Sequence, residues 1–119
     1  MEQLSEAHLR YLMTIYDLAH TMLDVRAAEV AKVLQITKPS VTKMLGVLMD
    51  KGFLVRERYG KIYLTDSGFL LAKEFKKRVA LPQTLIPKMG LALSEEELSL
   101  TAGLLAASLP EHAFSAPGA

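Results

Sequence analysis

The stretch that most restricts the fold runs from Arg26 to Gly52, where two short helical patterns are separated only by Gln35-Ile36-Thr37. In the first, Ala27, Val30, Ala31 and Leu34 share one side; in the second, Val41, Leu45 and Leu48 recur at i, i+4 and i+7. The second pattern has a marked start and stop. Thr37 is a good N-cap, Pro39 lies in the first turn where its missing N–H has no consequence, and Gly52 can adopt the left-handed conformation that ends a helix. Two short helices joined by about three residues form a helix-turn-helix. The outer side of the second helix is left with Lys38, Pro39, Ser40, Thr42, Lys43 and Gly46, and no acid occurs between Lys38 and Met49. Small, polar and cationic side chains suit a helix that enters a DNA major groove about 12 Å wide, whereas an ordinary solvated face mixes its signs.

The flanking sequence extends this unit. Phe53-Leu54-Val55-Arg56-Glu57-Arg58 and Lys61-Ile62-Tyr63-Leu64-Thr65 are rich in β-formers and surround Tyr59-Gly60, which predicts a hairpin; Tyr is a poor choice for a type I′ turn, so a bulged turn stays open. Arg56, Arg58 and Lys61 gather near the tip, where they suit phosphate contact beside the groove. Upstream, Ser5 is placed to cap a helix reaching about Met22, with Leu9, Leu12, Ile15, Tyr16 and Ala19 as its apolar stripe. Downstream, Thr65 caps a helix from Asp66 to about Val79. Its inward set is either Phe69, Ala72 and Phe75 or Leu71 and Phe75, with Lys73, Lys76 and Lys77 wet.

A different region follows. Pro82 and Pro87 are expected to bracket a separate short segment closed by Gly90, and Ser94 with Glu97 makes a capping box opening a last helix to about Ser108. Leu98, Leu100, Leu104, Leu105, Ala106 and Leu109 make that helix apolar nearly all round, so it needs cover. A second copy of the chain is the expected cover, with Leu98, Leu104, Leu105 and Leu109 in the homodimer interface. The expected fold is therefore mainly α: a winged helix-turn-helix DNA-binding domain over residues 1–79 with a small two-stranded wing, a helical dimerisation region over 80–109, and a flexible tail over 110–119.

Charge supports the division. The formal net charge is only +1, but from Arg26 to Arg78 twelve bases face five acids for a net of +7, and the remainder carries −6. A basic middle between acidic ends is the footprint of a polyanion-binding core. There is no Cys, which excludes disulfides, thiolate metal sites and thiol nucleophiles. No apolar run approaches the ~18 residues of a membrane span, so the chain reads as soluble and cytoplasmic, with no membrane partner. Nor is an enzyme expected: no phosphate-cradling glycine loop or metal triad is visible, and Glu95-Glu96-Glu97 suits a helix N-terminus.

Tyr11 to Leu18, Val25-Arg26 through Glu29-Val30-Ala31, Lys38-Pro39-Ser40-Val41-Thr42-Lys43-Met44-Leu45, Lys51-Gly52-Phe53-Leu54 and Leu64-Thr65-Asp66-Ser67-Gly68 together resemble the diphtheria-toxin-repressor and manganese-transport-regulator family. These are bacterial metal-dependent winged-helix repressors that act as dimers. The likeness is strong from Leu9 to Arg78 and faint from Val79 onward. It implies that Thr37, Pro39, Ser40, Thr42 and Lys43 approach bases and phosphates; Lys38 and the wing bases follow from charge and placement alone.

The resemblance also implies a Mn²⁺ or Fe²⁺ sensor, and here the sequence departs from it. The family's ligand positions correspond to Arg10 and Met13, to Val79, and over a loosely aligned stretch to Ala102, Leu105 and Ala106. None offers an effective donor to such a cation. The expectation is a homodimeric double-stranded-DNA-binding transcriptional repressor with no metal site and no cofactor. The alternatives are a metal-responsive repressor with a rebuilt site, a small-molecule-responsive regulator of the multiple-antibiotic-resistance type, and a protein-interaction module that no longer binds DNA.

Overall fold

The computed structural model describes residues 4–115. Helix α1 (Glu6–Ala19) opens on a reciprocal capping box: the Ser5 hydroxyl accepts from the His8 amide at 3.2 Å, and His8 Nδ1 accepts from the Ser5 amide at 3.1 Å. It stops at Ala19, short of the expected Met22. The His20 ring bonds the Tyr16 carbonyl at 2.7 Å, taking the acceptor that the next helical N–H would use. Helices α2 (Ala27–Leu34) and α3 (Lys38–Asp50) follow, joined by the predicted three-residue turn, in which Gln35 takes a left-handed φ of 56°. Thr37 caps α3, and Val41, Leu45 and Leu48 are fully buried, as their spacing predicts.

Strands β1 (Leu54–Arg56) and β2 (Ile62–Leu64) pair antiparallel with Leu54 opposite Leu64 and Arg56 opposite Ile62. Leu54 and Ile62 are buried on one face, and Val55 and Tyr63 are exposed on the other. The tip is the bulged form. The Gly60 amide donates to Glu57 O and the Glu57 amide to Lys61 O, both at 2.8 Å, and Gly60 supplies a φ of +92°.

Helix α4 (Asp66–Leu85) corrects two expectations. Phe69 does not pack inward: it is 42% exposed, and the inward set is Leu71, Ala72 and Phe75. The helix also continues past Val79, its expected end, and straight through Pro82, where a separate segment is expected to open. An interior proline costs about 3 kcal/mol, but Phe75, Val79, Pro82 and Ile86 form one buried stripe that continues across it. Packing on both sides of the proline outweighs the lost bond. A 3₁₀ turn (Ile86–Met89) ends at Gly90, and α5 (Glu95–Ser108) opens on the predicted Ser94–Glu97 capping box.

Two apolar clusters hold these elements. One joins Leu12 and Ile15 of α1 to Val30, Val41, Leu45, Leu48, Leu54 and Ile62; the other joins Leu9 to Phe75, Val79, Ile86, Ala102 and Ala106. Helices α1 and α4 belong to both, so they couple the winged unit to α5. Helix α5 leaves Leu100, Leu104 and Leu105 exposed. Its inward face is Ala102, Gly103 and Ala106, which lets it approach α1 so closely that a Cβ on Gly103 would sit 3.1 Å from a Glu6 carboxylate oxygen. Leu98 is partly buried in the chain's own core, while Leu104, Leu105 and Leu109 are exposed. Beyond α5, where a free tail is expected from residue 110, Glu111–Phe114 form a 3₁₀ turn, and Arg78 holds the Glu111 carboxylate through two bonds at 3.0 and 2.6 Å. The tail expectation for 116–119 lies outside the described residues.

The Leu64-Thr65-Asp66-Ser67-Gly68 string is explained by a close backbone crossing. Thr65 Oγ1 donates to Gly52 O at 2.7 Å and accepts from the Gly68 amide at 3.2 Å. Gly68 is buried against the segment before β1: a Cβ there would lie 2.8 Å from the Phe53 carbonyl carbon and nearer still to its oxygen. Only glycine fits at that crossing.

Candidate nucleic-acid interface

Helix α3 presents the predicted face. Thr37, Lys38, Pro39, Ser40, Thr42 and Lys43 are all exposed, and the buried residues are confined to the opposite side. Thr37 does double duty at the start: Oγ1 accepts from the Ser40 amide at 3.3 Å and donates to Ser40 Oγ at 2.8 Å, which presets both hydroxyls at the helix N-terminus. The first turn also carries the positive end of the helix dipole, which favours a phosphate.

The wing packs directly after α3, and its cations differ in setting. Arg58 is exposed, with its guanidinium 5.9 Å from the Tyr59 ring, and Lys61 Nζ stands 4.8 Å above the Tyr63 ring. A hydrogen bond with Tyr63 pushes the Lys61 ammonium above the ordinary lysine value, so it stays charged. Arg56 is half-buried and directs Nε to the Gly60 carbonyl at 3.4 Å, part of the wing's own framework. Among the described residues, Lys38, Lys43, Arg56, Arg58 and Lys61 make no ion pair with a carboxylate. Elsewhere among those residues, Arg10, Arg26, Lys76 and Arg78 each pair with a carboxylate, and Lys32, Lys51, Lys73, Lys77 and Lys88 do not.

Sequence reasoning missed Arg26. From the N-cap of α2 it bonds Asp24 at 2.9 Å and donates to the Tyr59 carbonyl, tying the wing tip to the helix-turn-helix across 33 residues of chain. The Ile62 amide adds a bond to Val25 O at 2.8 Å beside it. No local pattern announces a side chain that acts at such a separation.

The positions that the resemblance assigns to a metal do not fit one. Met13, Val79, Ala102 and Ala106 meet in one apolar cluster, and Leu105 points away from it as an exposed residue. Arg10 brings a cation instead, its Nε 3.5 Å from a Glu6 oxygen, and burial raises the Glu6 carboxyl above its usual range against the lowering pull of Arg10. Methyl groups, a thioether and a guanidinium are a poor donor set for Mn²⁺ or Fe²⁺. Among the described residues no group of three or more His, Cys, Asp or Glu side chains could hold an ion.

A capped helix with no acid from Lys38 to Met49, backed by a buried stripe and followed by a short cationic hairpin tied to the start of α2, defines the DNA-binding domain of a winged helix-turn-helix protein. Residues 3–62 match the model of the iron dependent repressor family's N-terminal DNA binding domain, and the chain belongs to that family, the diphtheria-toxin-repressor and manganese-transport-regulator group. Its relatives include the transcriptional regulator MntR of Salmonella typhimurium, 30% identical over 95 residues, which cover 76% of this chain and 60% of the relative. The HTH-type transcriptional regulator MntR of Listeria welshimeri is 31% identical over 80 residues, covering 67% and 56%. The chain thus spans about 60% of the length of the curated relatives it matches. Among solved structures, the manganese regulator SloR superposes with a TM-score of 0.75 at 19% identity, over 87% of this chain and 48% of that one. The Staphylococcus aureus MepR–DNA complex superposes at 0.59 with 29% identity, over 86% and 74%.

Proposed function

We propose that this chain is a homodimeric, sequence-specific regulator of transcription that binds double-stranded DNA as a repressor, descended from metal-dependent repressors and not itself regulated by Mn²⁺ or Fe²⁺. The observation that carries the reading is the exposed outer side of α3 from Lys38 to Lys43, which holds no carboxylate, with the wing cations Arg58 and Lys61 beyond it. Ser40 and Thr42 reach phosphate oxygens or base edges, Pro39 meets a thymine methyl, Lys43 donates to guanine acceptors, and Thr37 and Lys38 secure the helix start. Arg58 and Lys61 neutralise phosphates beside the groove, with Arg56 holding the wing in shape behind them. Residues 1–79 serve as the DNA-binding unit and 80–109 as the dimerising unit, α4 running through both. The exposed Leu104, Leu105 and Leu109, continued by the partly buried Leu98, are the face closed by a second copy. Two recognition helices then read half-sites one helical turn or more apart. The chain acts in the cytoplasm and performs no catalysis.

The metal-independent reading draws support from the apolar cluster at the positions the family uses for ligands. Duplex binding measured against salt concentration, with Mn²⁺ and with a chelator, tests both parts. A steep negative salt slope unchanged by the metal is the expected result. Stimulation by Mn²⁺ would overturn the loss of metal control. An absence of duplex binding, with a protein partner lost on charge reversal of Lys43 and Arg58, would favour an interaction module.

A further inference from the structure

A cavity of about 310 Å³ lies between the C-terminal half of α1, the segment leading to α2 and the wing strand β2, apart from the α3 face. Its walls combine aliphatic side chains with aromatic rings. Tyr16 packs against Phe69 with ring centroids 5.3 Å apart and against the His20 ring at 4.6 Å, and Tyr63 and Ile62 close the side toward the wing. This arrangement gives Phe69, left 42% exposed outside the core, an aromatic partner in Tyr16. The lining includes Lys61 and no Asp or Glu. A mostly apolar recess near the lower end of the ~300–1,000 Å³ range of small-molecule sites, with one cation in its lining that makes no ion pair with a carboxylate, favours a flat hydrophobic body bearing one negative charge.

We propose that this cavity binds a small planar aromatic carboxylate, its rings between Tyr16, Phe69 and Tyr63 and its carboxylate on Lys61 Nζ. Lys61 belongs to the wing, so a bound carboxylate withdraws one of the charges offered to DNA, and the ligand weakens duplex binding. That consequence, unlike the site itself, rests on the DNA-binding reading.

The test uses 2-naphthoate and its neutral analogue 2-naphthamide, titrated into the full chain without DNA and followed by naphthalene fluorescence; the chain has no Trp to interfere. Saturable binding of 2-naphthoate is expected. Ala19→Phe fills the recess from the exposed end of α1, and should weaken both probes at least tenfold while the melting curve shows a folded chain. Lys61→Gln should weaken 2-naphthoate about tenfold and leave 2-naphthamide within twofold. Non-saturable binding, or full affinity in Ala19→Phe, overturns the site. With a duplex present, saturating 2-naphthoate should weaken binding by the wild-type chain several-fold and leave Ala19→Phe unaffected; an unchanged wild-type affinity overturns the link to DNA. If the chain binds no duplex at all, the DNA reading falls, and the titration without DNA still decides the site.

Discussion

Replacing Gly68 by Ala sets two effects of opposite sign against each other. Alanine is favoured over glycine inside a helix by about 1 kcal/mol. Against this, the new Cβ would lie 2.8 Å from the Phe53 carbonyl carbon, where ordinary contact begins near 3.4 Å, and the obstructing atoms are backbone that cannot swing aside. Overpacking of this kind costs about 1–3 kcal/mol. Moving α4 away also stretches the Thr65 Oγ1 bond to Gly52 O at 2.7 Å and the Thr65 amide bond to Phe53 O at 3.1 Å, each worth about 1 kcal/mol. The net is a loss of about 3 kcal/mol, or roughly 12 °C in Tm at about 4 °C per kcal/mol for a chain of this size. Gly46→Ala is the matched control. A Cβ there meets nothing within 4 Å, so propensity alone acts and Tm should rise by about 4 °C. Thermal melts followed by far-ultraviolet circular dichroism give both numbers. A Gly68→Ala chain melting at or above the wild type would refute the close crossing as the reason for that glycine.

Four further outcomes are expected. Arg58→Gln removes one phosphate contact, so the slope of log affinity against log salt should become shallower by about 0.9; an unaltered slope removes Arg58 from the interface. Arg26→Ala frees the wing tip from α2, and amide exchange over residues 57–61 should quicken about fivefold for a bond worth about 1 kcal/mol, with weaker duplex binding in parallel. Leu104→Glu and Leu105→Glu place charge on exposed positions, so the chain should stay folded and sediment as a monomer; persistence of a dimer in both would move the interface elsewhere. The fourth concerns pH. Hydrogen bonding to Arg78 holds the Glu111 carboxyl down at about 2, below its unfolded value, so the clamp's contribution is complete above the ordinary carboxylate range and is lost as pH falls through about 2. An NMR titration of Glu111 with a midpoint near the ordinary value would contradict it.

What the sequence determined by itself is the local architecture. Thr37, Pro39 and the Val41–Leu45–Leu48 stripe specify α3 because capping, proline placement and helical period all act within a few residues and agree. The wing, the Ser5 cap and the Ser94–Glu97 capping box are legible on the same ground, and the absence of acids from Lys38 to Met49 shows a charge pattern without needing a structure. Tertiary structure decided what depends on neighbours distant in the chain. Pro82 sits inside α4 because Phe75, Val79 and Ile86 find partners on α1 and α5. Phe69 is left beside Tyr16 instead of in the core, and Arg26 reaches Tyr59. Helix α5 turns Ala102, Gly103 and Ala106 inward and Leu104, Leu105 and Leu109 outward, since its close approach to α1 and α4 favours small residues. Periodicity records that a side chain can be buried; which face is buried, and against what, is set by the shape of the surface it meets.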